Sequence, residues 1–231
     1  MSVADALAQV RERIASAARE AGRSPGSVDL LAVSKGQDAS RVREAYAAGQ
    51  RRFGENYAQE LAAKATALAD LADIEWHFIG HLQRNKVKDV VPRARLVETV
   101  DRVDLAREID KRATTPIAIL IEVNVGGEAQ KSGCAPSDLA ALCRAIGDLP
   151  NLRLRGLMTV PPAVDDARDA RPFFARLREA AAELRAAGLD PGPELSMGMS
   201  SDFEEAIAEG ATLVRVGTAI FGARPAKATA P

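Results

Sequence analysis

The sequence has 231 residues, of which 47% are hydrophobic and 27% charged, so it contains enough apolar side chains for one large core. The formal net charge of −1 argues against nucleic acid or an anionic membrane as a partner held by overall charge. We expect a cytoplasmic protein, because no stretch resembles a signal peptide or a membrane span and because Cys134 and Cys143 form no disulfide framework.

Strand-like and helix-like segments alternate along the chain. An amphipathic helix is predicted first, over about 3–21. Eight apolar runs then predict strands at 29–34, 51–55, 76–80, 95–100, 117–125, 152–160, 194–199 and 212–217. Helical patterns lie between them at 40–49, 58–71, 102–113, 137–149 and 167–188. Glycines stand where helices are expected to end, at positions 49, 147, 188 and 210.

This alternation predicts an α/β fold, namely a single (β/α)8 TIM-type barrel with an extra N-terminal helix. Apolar strands separated by helices favour a parallel sheet that is covered on its outer side, and eight such units favour closure. An open doubly wound sheet is the alternative, because strand counts from one sequence vary by one or two. We expect one domain over 1–224 and a flexible tail over 225–231, since no Gly/Ser/Pro-rich linker divides the chain.

Lys35 directly follows the first predicted strand. In barrels of this kind, active sites gather at the C-terminal ends of the strands. A lysine at the mouth of an apolar strand lies partly in a low dielectric, which favours the neutral amine. The neutral amine is the form that makes a Schiff base with an aldehyde. On position alone, however, a solvated loop lysine explains Lys35 as well.

Two turns rich in small residues follow the last two predicted strands, in SMGMSSDFEEAI and RVGTAIFG. The corresponding loops often hold phosphate in this fold, and backbone N–H groups at the start of a helix bind anions. Ser200, Ser201, Gly217 and Thr218 are therefore candidate phosphate ligands. Helix capping by the two serines is the alternative explanation.

Arg215 lies two residues before Gly217 and is expected to face the barrel interior, where a guanidinium needs a partner. Against the ring of pyridoxal 5′-phosphate (PLP), an aldehyde that carries a phosphate, Arg215 could donate to the pyridine nitrogen. An always-charged donor would keep that nitrogen unprotonated and weaken the ring as an electron sink.

His77 and His81 are the two histidines of the sequence, four residues apart. They lack an HExxH pattern and a nearby cysteine ligand, which argues against a metal site. We expect one of them to form hydrogen bonds in the barrel mouth and the other to cap the next helix.

Seven motifs occur in the order typical of the YggS/PROSC-type pyridoxal phosphate homeostasis proteins, whose barrel resembles the N-terminal domain of alanine racemase. They are AVSKG, FGENYAQE, WHFIGHLQRNK, EVNVGGEAQKSG, GLMTV, LSMGMSSDFEEAI and VRVGTAIFG. The resemblance runs from about residue 5 to 224. The departures are mild: Arg84 stands where serine or threonine is frequent, and Pro161-Pro162 follow GLMTV.

The resemblance implies PLP as cofactor and a role for each matching residue. It implies a Schiff base on Lys35 and Arg215 facing the pyridine nitrogen. It also implies phosphate held by Ser200, Gly217 and Thr218, with Asn56 near the cofactor. Lys131 matches the family's basic position in the KSG motif, with an implied part in regulation or PLP transfer.

The resulting expectation is a PLP-binding protein that stores, buffers or delivers PLP in the cell without dedicated catalysis. Racemases of this fold need a second base, a tyrosine from a second domain, and this chain stops after its predicted barrel. A weak amino-acid racemase is the alternative, and a phosphate-binding barrel enzyme with an ordinary lysine at position 35 is a third. We expect a monomer, because the dimer-forming domain of racemases is missing, with apo forms of PLP-dependent enzymes as recipients.

Overall fold

The structure, a computed structural model, describes residues 1–128 and 130–223. Eight parallel strands pair in chain order, and the last pairs with the first, which closes a barrel. The strands are β1 (Asp29–Val33), β2 (Arg52–Glu55), β3 (Glu75–Phe78), β4 (Leu96–Val100), β5 (Ile117–Glu122), β6 (Leu152–Met158), β7 (Glu194–Ser196) and β8 (Leu213–Val216). The predicted TIM-type barrel is therefore confirmed, and the open sheet was the wrong alternative.

Helices lie between the strands over the part of the chain that the structure describes. They are α1 (Val3–Glu20), α2 (Ala39–Ala47), α3 (Ala58–Ala67), α4 (Val87–Val90), α5 (Val103–Arg112), α6 (Leu139–Gly147), α7 (Arg171–Ala186), α8 (Phe203–Ala208) and α9 (Thr218–Phe221). Within the described ranges, no helix is both long and apolar enough to cross a membrane. The division into a domain over 1–224 and a tail over 225–231 stays a prediction, and the tail lies outside the described residues.

The helix α1 is the extra N-terminal element that the sequence predicts. It begins in a capping box, in which the Ser2 hydroxyl accepts from the Asp5 backbone N–H (3.1 Å) while the Asp5 carboxylate accepts from the Ser2 N–H (3.1 Å). Its buried stripe includes Leu7, Val10 and Ile14 and packs against α8 and α9. The helix therefore braces the part of the barrel that carries the last two turns.

Several strands end earlier than their apolar runs predict. The run over 117–125 leaves the sheet after Glu122, because the chain then pairs with the loop around Cys134 through a single bridge at Val123. The run over 194–199 ends at Ser196, because Gly198 adopts a positive φ of 91° and turns the chain toward α8. The residues lost from the strands thus belong to the loops at the barrel mouth.

Side chains alternate between the two faces of each strand. The outward face packs under the helices and contributes large apolar residues such as Phe53, Trp76 and Phe78. The inward face carries a small apolar cluster of Leu96, Leu120 and Met158, together with buried polar groups. The barrel interior is therefore partly a polar core, and its polar groups lead to the site.

Gly156 lies where β6 and β7 approach too closely for a side chain. A Cβ at this position would lie 1.9 Å from the Glu194 carbonyl oxygen. We expect Gly156→Ala to lower the free energy of unfolding by about 2–3 kcal/mol, because the two strands would have to separate. Urea unfolding measures the change. Gly147→Ala is the matched control, since a Cβ there meets nothing within 4 Å at the end of α6; equal stability of the two variants would contradict this packing.

Candidate functional site

Four of the predicted site residues meet at the C-terminal end of the barrel. The pairing of Leu31 with Arg215 and of Val33 with Gly54 fixes the register of β1 against its two neighbours. Lys35 is half-buried and lies two residues after the end of β1, where continued alternation places it on the inward side. The same alternation places Asn56 after β2 and Gly217 after β8 on the inward side. The structure thus brings the lysine, the asparagine and the glycine turn to one mouth, above Arg215.

The peptide groups on both sides of Lys35 are held by α3. The Lys64 ammonium donates to the Ser34 carbonyl oxygen (2.6 Å), and the Gly36 N–H donates to the Glu60 carboxylate (2.8 Å). Lys64 is only 6% exposed. The backbone that presents Lys35 is therefore fixed from outside the barrel by a buried lysine that the helical pattern did not single out.

Glu55 completes this cluster behind Lys35. Its Oε1 accepts from the Lys64 ammonium (2.6 Å) and from the Ser34 hydroxyl (2.6 Å). Burial raises the pKa of Glu55 to about 7, although the charge of Lys64 and both hydrogen bonds act in the opposite direction. The charge of the cluster therefore changes near neutral pH.

Asn56 presents a buried acceptor that lacks a partner. Its Oδ1 is buried and accepts no hydrogen bond from the described residues. Its backbone fits only because position 80 is glycine, since a Cβ on Gly80 would lie 2.0 Å from the Asn56 carbonyl oxygen. A buried acceptor without a donor is costly. A ligand that carries an O–H or N–H group would remove this cost.

Arg215 faces the barrel interior, as expected from the sequence, and is 4% exposed. Its guanidinium donates to the Ser196 hydroxyl (2.7 Å) and to the Thr159 carbonyl oxygen (2.8 Å). Burial lowers the pKa of Arg215, while nearby carboxylates, Glu98 foremost, act in the opposite direction. The group is thus a buried cation whose orientation is set by hydrogen bonds within the barrel.

Behind Arg215 lies a set of polar residues that the sequence did not reveal as a site. Ser196 donates to Glu98 Oε2 (2.6 Å), and Glu98 Oε1 contacts His77 Nδ1 (2.7 Å). Glu98 and Ser196 lie within strand runs, where they are fully buried. A carboxylate at an alternating position of an otherwise apolar strand was the one available signal.

The two histidines meet the expectation in part, because His81 forms a contact in the barrel mouth but neither histidine caps the helical turn after β3. His77 is buried in the interior and lines a cavity at the N-terminal end of the barrel, so it is not a mouth residue. His81 contacts the Ser132 hydroxyl (3.1 Å), and the short helical turn that begins after Gln83 has no side-chain cap. The predicted capping role was wrong, because the loop after β5 reaches across the mouth to His81.

The turn after β7 is tightly closed. The Asp202 carboxylate accepts from the Met199 N–H (2.6 Å), and a Cβ on Gly198 would lie 2.6 Å from the Ala206 Cβ. Ser200 is half-buried in this turn, whereas Ser201 is exposed. The structure therefore places Ser200 closer to the interior than Ser201.

The turn after β8 meets the turn after β7 through Ser200. The Ser200 hydroxyl oxygen accepts from the Gly217 N–H (3.3 Å) and the Ala219 N–H (3.4 Å) at long distances. A Cβ on Gly217 would lie 3.1 Å from the Val33 carbonyl oxygen, so the glycine lets β8 stay against β1. Thr218 begins α9 and is exposed. Two weakly engaged N–H groups and the Ser200 hydroxyl thus converge at one point, which is an arrangement that suits an anion.

A cavity of about 500 Å³ adjoins the turn after β7. Its walls include Ser201, Met199, Lys131 and the segment 160–165. Lys131 pairs with Glu128 (2.6 Å) and donates to the Pro161 carbonyl oxygen (3.1 Å). A second cavity of about 510 Å³ lies at the opposite end of the barrel. We place the candidate site at the C-terminal mouth, because Lys35, Asn56 and the two turns lie there.

Glu122 ends β5 inside the barrel. Burial, with a contribution from Asp101, raises the pKa of Glu122 to about 7, against the charge of Arg215. Its Oε2 is buried and has no hydrogen-bond partner within the described ranges. The interior around Arg215 therefore contains a carboxyl group that can be neutral at physiological pH.

Neither a metal centre nor a reactive thiol stands out. No cluster of three or more histidine, cysteine or acidic side chains suited to a metal ion occurs in residues 1–128 and 130–223. Burial raises the pKa of Cys134 to about 12, so its thiol stays protonated. The polar groups described at the mouth are the amine of Lys35, the guanidinium of Arg215 and the turns after β7 and β8.

Comparison with known proteins agrees with this geometry. The family model for the N-terminal domain of alanine racemase matches residues 6–225. A pyridoxal phosphate homeostasis protein of Pseudomonas aeruginosa is 50% identical over 226 residues, which cover 96% of each chain. Another protein of that name, from Aquifex aeolicus, is 47% identical over 97% of this chain and 99% of its own.

A solved structure of PipY from Synechococcus elongatus, with PLP bound, superimposes with a TM-score of 0.84. It is 39% identical and covers 96% of this chain and 100% of its own. The chain therefore belongs to the family of pyridoxal phosphate homeostasis proteins, which share the N-terminal barrel of alanine racemase.

Proposed function

We propose that this protein binds PLP at the barrel mouth and holds it reversibly on Lys35 for intracellular storage, buffering or delivery. The observation that carries the proposal is the convergence of Lys35, buried Arg215 and the Ser200–Gly217 contact at one end of the barrel. The name shared by the curated relatives and the PLP in the PipY structure support it.

The residues present fit the three functional groups of PLP. Ser200, Gly217 and Thr218 would hold the phosphate, because the Ser200 hydroxyl meets the Gly217 N–H and Thr218 follows directly. Ser201 would lie at the edge of the turn after β7. Arg215 would donate to the pyridine nitrogen. The unpartnered Oδ1 of Asn56 would accept a hydrogen bond from the bound molecule.

Lys35 supplies the covalent step. Its neutral amine attacks the aldehyde carbon, a C=N bond replaces C=O, and the aldehyde oxygen leaves as water. Water reverses the step and releases the intact aldehyde, so no oxidant or reductant is consumed. Reversible capture of this kind suits a carrier of a reactive aldehyde.

The same residues argue against efficient racemisation. When bound, PLP serves enzymes as an electron sink, and a guanidinium at its ring nitrogen would weaken that property. The sequence has two tyrosines, and Tyr46 donates to Asp73 on the outside of the barrel. Tyr57 is 58% exposed and is the remaining tyrosine near the mouth. A weak racemase using Lys35 and Tyr57 is therefore the second candidate.

The proposed function also includes recipients of the PLP and an oligomeric state for the protein. The recipients would be apo forms of PLP-dependent enzymes, and the protein would act as a cytoplasmic monomer. Lys131 would act at the rim, because it borders the cavity beside the turn after β7.

Lys35→Ala is expected to abolish the imine absorbance that PLP gives with the native protein, because no other amine occupies its position after β1. Borohydride reduction followed by peptide mass analysis should find the trapped adduct on Lys35. Lys111→Ala is the matched control, since Lys111 is an exposed lysine of α5. Absence of the band in the native protein, or its retention in Lys35→Ala, would overturn the proposal.

Ser200→Ala and Thr218→Val are expected to weaken PLP binding about tenfold each, the effect of about 1.4 kcal/mol from one lost hydrogen bond to a charged group. Pyridoxal, which lacks the phosphate, is the matched ligand control, and its affinity should change less than about twofold. Titration of the absorbance measures both. Equal losses for the two ligands would show that these residues do not hold phosphate.

The loaded protein is expected to restore the activity of an apo-PLP enzyme without racemising amino acids. The PLP-loaded protein is mixed with the apoenzyme, and the rate of reactivation is compared with that of loaded Lys131→Ala, which should transfer PLP more slowly. Chirally resolved chromatography of an amino-acid panel is the parallel measurement. Robust racemisation that disappears in Lys35→Ala, and weakens in Tyr57→Phe, would favour the second candidate.

A further inference from the structure

A line of hydrogen bonds crosses the barrel interior below the proposed ring site. The Arg215 guanidinium donates to Ser196 Oγ (2.7 Å), Ser196 donates to Glu98 Oε2 (2.6 Å), and Glu98 Oε1 contacts His77 Nδ1 (2.7 Å). Each of these four side chains, here called the interior polar chain, is at most 5% exposed. The line therefore runs through the barrel and is shielded from water except at its His77 end, which lines a cavity.

The chemistry of the four groups fixes the direction of every bond. A guanidinium only donates, so Ser196 Oγ accepts from Arg215 and uses its own proton toward Glu98. When Glu98 is ionised as the counter-charge of Arg215, its carboxylate only accepts, and His77 then carries a proton on Nδ1. The second ring nitrogen, Nε2, is then the position at which His77 can gain or lose a proton.

Glu98 supplies the negative charge that Arg215 needs. A guanidinium in a protein interior requires a nearby counter-charge. Over residues 1–128 and 130–223, no carboxylate lies within 4.0 Å of the Arg215 guanidinium. Glu98 is linked to the guanidinium by two hydrogen bonds, both of which involve the Ser196 hydroxyl. Burial lowers the pKa of Arg215, and Glu98 is the strongest of the three carboxylates that oppose this effect, ahead of Glu122 and Asp202.

The far end of the interior polar chain opens on the other face of the barrel. His77 lines the cavity of about 510 Å³ at the N-terminal ends of the strands. Charged groups on the walls of this cavity come from five of the neighbouring strands and from the residue before β4: Asp29, Arg52, Glu75, Arg95, Arg153, Arg155 and Glu194. His77 therefore borders a cavity on the face opposite Lys35.

We infer that His77 and Glu98 are positioning residues for Arg215, which couple proton uptake at the N-terminal face to hydrogen-bond donation at the cofactor ring. A positive charge on His77 draws on the same carboxylate that balances Arg215, so the guanidinium is less neutralised and becomes a stronger donor. The inference rests on the proposed function, because it takes the ring to lie against Arg215.

The first test uses the PLP-loaded protein and its absorbance between pH 6 and pH 8. His77→Asn keeps an N–H donor near the Nδ1 position and cannot ionise. The band is expected to shift with pH in the native protein and in His81→Asn, the matched control at the other histidine. His77→Asn should bind PLP and show a smaller shift; the remaining shift is assigned to Glu55 and Glu122, whose pKa values are raised to about 7 by burial. An unchanged shift in a loaded His77→Asn protein would overturn the inference.

The second test uses the protein without PLP, so it separates this inference from the proposed function. Because the sequence contains two histidines, the NMR signals of the His77 ring can be assigned by comparison with His81→Asn. Ser196→Ala and Arg215→Lys should each shift these signals at constant pH. Ser132→Ala is the control and should shift only the His81 signals, through the contact at 3.1 Å.

The two tests fail in different ways. If the native protein gives no imine band but Ser196→Ala and Arg215→Lys shift the His77 signals, the proposed function fails and the interior polar chain stands as a coupled unit. If PLP binds through Lys35 but the His77 NMR signals are the same in the native protein, Ser196→Ala and Arg215→Lys, the inference is overturned. The NMR variants also decide the question if His77→Asn does not fold.

Discussion

A guanidinium buried inside a barrel is the constraint on which the rest of this structure depends. Arg215 stays charged in an interior that disfavours charge, so its N–H groups must be matched and its charge balanced. Ser196 and Thr159 match the N–H groups, and Glu98 balances the charge through Ser196. Two of these partners lie in β7 and β4, and Thr159 directly follows β6. The arginine is therefore stable in the interior only because the closure and register of the barrel bring these three residues together. An open sheet would leave it without them.

The alternation of side chains along each strand separates two polar networks, and both support residues at the C-terminal mouth of the barrel. The inward network ends at Arg215, whereas the outward network of Glu55, Ser34 and Lys64 lies under α3 and holds the backbone of Lys35. The two networks contain carboxyl groups of different character, since burial raises the pKa of Glu55 to about 7 while Glu98 serves as the counter-charge of a cation. The lysine and the arginine are thus supported independently, from opposite faces of the same sheet.

Much of the fold and the centre of the site could be predicted from the sequence, because both depend on local patterns. Apolar runs alternating with amphipathic helices specify a barrel, and the position of Lys35 after the first run places it at the mouth. The supporting residues could not be predicted, since they depend on contacts between distant segments. Lys64 has the spacing of a helix surface residue, and the link from Glu98 to Ser196 spans 98 positions. His77 was placed at the wrong end because its run does not show how deep in the barrel it lies.

The two hydrogen bonds that hold the peptide groups before and after Lys35 would affect how fast the protein binds and releases PLP. The carbonyl oxygen before Lys35 and the N–H after it are bound to α3 independently of the lysine side chain. If Lys35 holds PLP as proposed, loss of the imine would leave this loop ordered, so the conformational entropy of the loop is lost at folding and not again at each capture. On the proposed function, a preorganised amine would rebind its aldehyde quickly and release it without local unfolding, and the residence time of PLP would depend on the imine and the phosphate contacts.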